Sequence, residues 1–86
     1  MKRYSYKTHG TCSRQIDVTL NGEVIEEVVF HSGCMGNTQG VAALVKGMKA
    51  EEAIRRLKGI DCGGRGTSCP DQLARALTEM LNGADN

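Results

Sequence analysis

The stretch Gln15-Ile16-Asp17-Val18-Thr19-Leu20-Asn21-Gly22-Glu23-Val24-Ile25-Glu26-Glu27-Val28-Val29-Phe30-His31 decides the architecture. Its first half alternates: Ile16, Val18 and Leu20 face one way, Gln15, Asp17 and Thr19 the other, which is the period of a half-buried strand. Asn21-Gly22 is the pair best suited to the positive backbone angles of a two-residue type I′ turn. The run that follows carries Val24, Ile25, Val28, Val29 and Phe30 and completes a hairpin. With Asn21-Gly22 at the tip, Leu20 is expected opposite Glu23 and Val18 opposite Ile25. The same register sets Cys12 opposite His31, with Cys34 three residues beyond.

Upstream, residues 4–8 alternate weakly and supply a third, edge strand, since three strands are the least that stand on their own under a layer of helices. Downstream of Gly33 the apolar period changes. Asn37 or Thr38 can cap a helix whose apolar face is Val41, Ala42, Leu44, Val45 and Met48. Gly47 interrupts it, residues 51–57 restart it with Ala53, Ile54 and Leu57 on one stripe, and Gly59 stops it. Residues 61–66 form a glycine-rich loop. Ser68-Cys69-Pro70-Asp71 then opens a last helix, with Pro70 near its first position, Asp71 favourable to the dipole, and Leu73, Ala74, Leu77, Met80 and Leu81 as its apolar face. The fold class expected is α+β: a three-stranded antiparallel sheet in the N-terminal half, packed against two or three C-terminal helices, in one domain over residues 1–86.

Composition narrows the function. Eleven basic residues against ten acidic ones give a net charge of +1 with no long run of either sign, and with one Phe, two Tyr and no Trp there is no platform for stacking bases. Nucleic acid is therefore not an expected partner. Residues 4–10, after Met1-Lys2-Arg3, are polar, so no signal-peptide core and no membrane span is expected, and the cytoplasm is the expected location. In a reducing compartment cysteines serve more often as metal ligands or catalytic thiols than as disulfides.

Four cysteines, Cys12, Cys34, Cys62 and Cys69, are the residues that carry chemistry. None sits in a CxxC pair, and a lone cysteine is by default a small core residue. Their neighbourhoods favour a shared role. Cys34 lies in a glycine-flanked loop running into a helix, and Cys69 at a helix start, where backbone N–H groups and the dipole favour a thiolate. Cys62 precedes Gly63-Gly64 in a loop with no apolar pattern to bury it, and Cys12 stands at the mouth of the hairpin. One thiolate site holding Zn2+ or an iron-sulfur cluster is the leading expectation. His31, by its place opposite Cys12, is a candidate additional ligand. Gly63-Gly64-Arg65-Gly66-Thr67-Ser68 before a helix has the look of a phosphate cradle but lacks the P-loop lysine. Glu51-Glu52 and Arg55-Arg56 read as exposed i, i+4 pairs.

Thr67-Ser68-Cys69-Pro70-Asp71, with the four cysteines and the Gly33-Cys34 and Gly59-Ile60-Asp61-Cys62-Gly63 segments, resembles the TSCPD domain family in its small stand-alone members. That family resembles C-terminal appendages of adenosylcobalamin-dependent ribonucleotide reductases, and its members often carry a reductase label on that ground. The resemblance implies an accessory protein of ribonucleotide reduction rather than the enzyme. Eighty-six residues cannot hold the ten-stranded barrel, radical site and cobalamin site of such a reductase.

In layout the chain also resembles U-type iron-sulfur cluster scaffolds. Shared in order are Thr11-Cys12 before a strand, the Asn21-Gly22 turn, Gly33-Cys34 before a helix, residues 45–53, and Ser68-Cys69 opening the final helix. That resemblance implies cluster ligation by Cys12, Cys34 and Cys69. It also shows two departures, Arg14 where the scaffolds have Asp and Ser68 where they have His, with Cys62 available as a replacement ligand. Two other readings stand beside the metal module. One is a redox dithiol of Cys62 and Cys69 serving a ribonucleotide reductase; the other is an interaction domain whose cysteines have no chemical role.

Overall fold

β-type patterning, strict only in residues 15–20, followed by a 3.6-residue period gives three strands and then three helices in the computed structural model, which describes residues 2–8, 14–31, 35–60 and 68–83. The strands β1 (Lys2–Lys7), β2 (Gln15–Asn21) and β3 (Val24–His31) form an antiparallel meander in the order β1-β2-β3. The helices are α1 (Met35–Val45), α2 (Ala50–Leu57) and α3 (Cys69–Leu81). The protein is thus the α+β domain expected, with a helical layer of three.

The hairpin forms, but its register differs from the one the Asn21-Gly22 turn predicts. Asn21 pairs with Val24, so the loop is Gly22-Glu23, and Gly22 adopts φ +64° there. Leu20 pairs with Ile25 rather than Glu23, Val18 with Val28 rather than Ile25, and Gln15, not Cys12, stands opposite His31. A bulge between Thr19 and Leu20 absorbs one extra residue of β3, because Thr19 faces Glu27 while Leu20 faces Ile25. The reason is which side chains share a face. Residues directly opposite lie on the same side of a sheet, so the expected register would have set Glu23 and Glu27 beside Leu20 and Ile16 in the core. The observed one sets Ile16 on Phe30, Val18 on Val28 and Leu20 on Ile25, and the bulge leaves both Glu26 and Glu27 exposed.

The outer edge of β3 is covered at its start. Ile25 N–H donates to the Met48 carbonyl at 2.9 Å and Gly47 N–H to the Ile25 carbonyl at 2.8 Å, so the link between α1 and α2 adds a short bridge to the sheet. Gly47, at φ +86°, is the residue that lets the chain turn there. On α2 both Arg55 and Arg56 pair with Glu52, at i, i+3 and i, i+4, in place of two separate i, i+4 pairs.

One face of the sheet carries the core, where Ile16, Val18, Leu20, Ile25 and Val28 meet Val45, Ala50, Ala53, Leu73, Ala76, Leu77 and Met80. Helix α3 is central: it touches β1 and β2 on one side and α2 on the other. The apolar face expected for α1 is only partly used. Val45 is buried, Val41, Ala42 and Met48 are half-buried, and Leu44 is 78% exposed.

Candidate thiolate site

The direction of α3 decides which loops are neighbours. Near its C-terminal end the Met80 carbonyl accepts from Lys2 Nζ at 3.1 Å, and Glu79 accepts from Tyr4 Oη at 2.5 Å. One step further along β1, Tyr6 shares a surface cleft with Ala74, Arg75 and Thr78. Strand and helix therefore run antiparallel, and Cys69, at the first turn of α3, lies toward the end of the molecule where β1 finishes and β2 begins. In an antiparallel meander β3 finishes at that same end.

Two of the chain connections at this end are closed by hydrogen bonds between described residues. Thr8 N–H donates to the Arg14 carbonyl at 3.3 Å, drawing together the ends of the β1–β2 connection, and Arg14 N–H donates to the His31 carbonyl at 2.9 Å. Between α2 and α3, Ser68 Oγ donates to the Ile60 carbonyl at 2.6 Å, and the Asp71 carboxylate accepts from Gly59 N–H at 2.7 Å. Ser68 also caps α3, accepting from Asp71 N–H at 3.1 Å, and Asp71 accepts from Arg75 Nε at 3.1 Å. Sequence reasoning had given Asp71 only a dipole role and saw in Ser68 a missing histidine. Both in fact hold residues 59–60 against the start of α3. The helix start at Ser68-Cys69-Pro70-Asp71 was legible in the sequence, but the capping bond of Ser68 and the partners twelve and eight residues away were not.

This double tie makes the effects of its two members interdependent. Ser68→Ala is expected to cost about 1 kcal/mol as a lost cap, and Asp71→Ala about 1–3 kcal/mol as a lost acceptor at a buried position. Because both hold the same short segment, the double variant should differ from the sum of the two by ~0.5 kcal/mol or more in chemical denaturation. Strict additivity would mean that the two contacts act separately.

Of the candidate ligands, Cys69 is buried at 5% exposure, at the helix start expected of it. Cys12, Cys34 and Cys62 lie outside the described residues, as do residues 61–67 with the candidate phosphate loop. In sequence, Cys12 is two residues before Arg14, Cys34 three after His31 and one before α1, Cys62 two after Ile60, and Cys69 follows Ser68. Among the described residues no group of three or more His, Cys, Asp or Glu side chains could hold a metal.

His31 pairs with Asp17. Its Nε2 lies 2.7 Å from Asp17 Oδ2 on the open face of the sheet, opposite the core, with both side chains about two-fifths exposed. Gln15 Nε2 donates to the other oxygen of Asp17 at 2.9 Å. Partial burial pushes the Asp17 carboxyl up, but hydrogen bonds from His31, Gln15 and Ser5 outweigh it and hold the group below the usual carboxylate range. A lowered folded value stabilises the protein above the ordinary carboxylate value, and the contribution is lost as pH falls through the lowered one. The stability advantage of the native chain over Asp17→Asn should therefore shrink on acidification below about pH 4. Thermal melts across that window test it, and a constant difference would count against the cluster.

A three-stranded antiparallel sheet under three helices, with cysteine-bearing connections leading from one end, defines a small α+β cysteine domain. The TSCPD domain family matches residues 1–81, and the chain belongs to that family. No curated protein and no solved structure matches it. Among the described residues, no helix is long and apolar enough to cross a membrane.

Proposed function

We propose that the protein is a metal-binding accessory module in which Cys12, Cys34, Cys62 and Cys69 ligate one Zn2+ or an iron-sulfur cluster. The observation that carries this reading is the gathering of the anchors. Arg14 is hydrogen-bonded to His31, Ile60 to Ser68, and α3 begins toward the end of the molecule where β1 ends and β2 begins. Two residues of chain span at most about 7 Å, so a cysteine one to three residues from such an anchor has a short tether. Four thiolates suit either a tetrahedral zinc or a cluster, both of which cysteine sulfur binds. Such a group would add cross-links to a domain whose size allows only a modest core.

Membership of the TSCPD family supports an association with ribonucleotide reduction, with a reductase as the protein partner; this chain's own part would be binding rather than catalysis. The Ser68–Ile60 bond also favours a second reading, a Cys62–Cys69 dithiol, since it draws together the ends of the loop between them.

Elemental analysis and an absorption spectrum of protein purified without chelator test the proposal. One equivalent of zinc with no visible colour, or iron with acid-labile sulfide and visible absorption, is expected. Metal-free protein with two thiols that oxidise reversibly would replace it by the dithiol.

A further inference from the structure

The apolar surface left open by α1 has no part in the thiolate site. Val41, Leu44 and Val45, at i, i+3 and i+4 on α1, line one side of a groove whose other residues are Met48, Ala53, Arg56 and Leu57. Leu44 is the most exposed large apolar side chain among the described residues. The groove encloses about 190 Å³, below the roughly 300–1,000 Å³ of pockets that take small molecules or cofactors. A row of apolar residues at helical spacing beside a shallow groove suits a side chain presented by a partner helix.

Charge selects the partner. Lys46, Lys49, Arg55, Arg56 and Lys58, all exposed, stand against Glu51 and Glu52, so residues 44–58 carry +3 in a chain whose total is +1, leaving −2 for the rest. Arg56 lines the groove and Lys46 follows its residue Val45, whereas Lys49 and Lys58 line other clefts. A second copy would set two such basic segments against each other, and like charges brought together are disfavoured. We infer that this groove docks an acidic amphipathic helix of another protein, with one large apolar side chain of that helix seated between Leu44, Met48 and Leu57. The inference is independent of any metal.

Three designed helical peptides of about 15 residues test it, each with leucines at i, i+3, i+4 and i+7, and with the remaining surface built from Glu, from Lys or from Gln. The probes are added to the full isotope-labelled chain as purified. The Glu peptide is expected to shift the amide resonances of Val41, Leu44, Met48 and Leu57, to bind at least about tenfold more tightly than the Lys peptide, and to weaken as salt is raised. Leu44→Glu should abolish these shifts while leaving the thermal midpoint unchanged. Equal binding of the three peptides, shifts confined to another surface, or unaltered binding by Leu44→Glu would each overturn the proposal. So would sedimentation showing a dimer that Leu44→Glu dissolves.

Discussion

Replacing any one of Cys12, Cys34, Cys62 and Cys69 by serine is expected to reduce the metal content of the purified protein and lower its thermal midpoint, and chelation of the native chain should do the same. The size of the effect follows from coupling. Ligands brought together only by folding convert metal-binding energy into folding energy, on the order of 10 kcal/mol or more at structural zinc sites. A single-domain protein has about 5–15 kcal/mol of net stability, so the loss of a ligand is not a minor perturbation here. The pattern across the four positions discriminates between readings. Equal loss at all four marks a closed four-thiolate site. Loss at Cys12, Cys34 and Cys69 alone marks a three-cysteine cluster site, and a redox effect at Cys62 and Cys69 with little change in melting marks the dithiol. If none of the four changes either metal content or melting, the thiolate site does not exist.

Leu77→Ala is expected to cost about 2–5 kcal/mol, the range for removing a buried leucine side chain where neighbours collapse only partly into the space. Leu77 is fully buried on the central helix, among the apolar side chains of the sheet and α2. For a chain of this length each kcal/mol moves the midpoint by roughly 4–8 °C, so a fall of at least about 8 °C should be seen by calorimetry. Leu44→Ala is the internal control. It removes the same atoms from a side chain that is 78% exposed, and a change within about 0.5 kcal/mol is expected. Similar costs at the two positions would contradict the packing described for α1 and α3. In protein held well below its transition, Leu77→Ala should also leave the metal stoichiometry unchanged, which separates loss of core from loss of ligand.

The two leucines show where sequence reading runs out. Each lies on an apolar stripe of its helix, and helical periodicity treats them alike. Only the position of α3 between the sheet and α2, and of α1 at the side against β3, makes Leu77 core and Leu44 surface. Periodicity reports a face; what covers that face is a matter of long-range packing.

Much of the rest was local and therefore readable. Alternation in residues 15–20 gave β2, Gly47 and Gly59 ended helices at positive φ, and Ser68-Cys69-Pro70-Asp71 marked the start of α3 through Pro70 in the first turn and Asp71 at the positive end of the dipole. The four cysteines could be singled out from the sequence because residue type and neighbourhood suffice to suggest ligands. Even the bulge had left a trace. Ile25 and Val28 are three apart, an odd spacing that a regular strand cannot put on one face, and one extra residue reconciles them.

By itself, then, the sequence determined the order of elements, their type and the candidate donors, since these depend on backbone preference and on the period of apolar residues along one segment. Tertiary structure alone decided the register of β2 against β3, the engagement of His31 by Asp17, and the tie of Asp71 to Gly59 twelve residues away. Those outcomes compare energies between segments: whether Glu27 or Ile25 lies beside Leu20, and which carboxylate meets which N–H. No period along a single segment encodes that comparison, because the competing partners become neighbours only after the chain has folded.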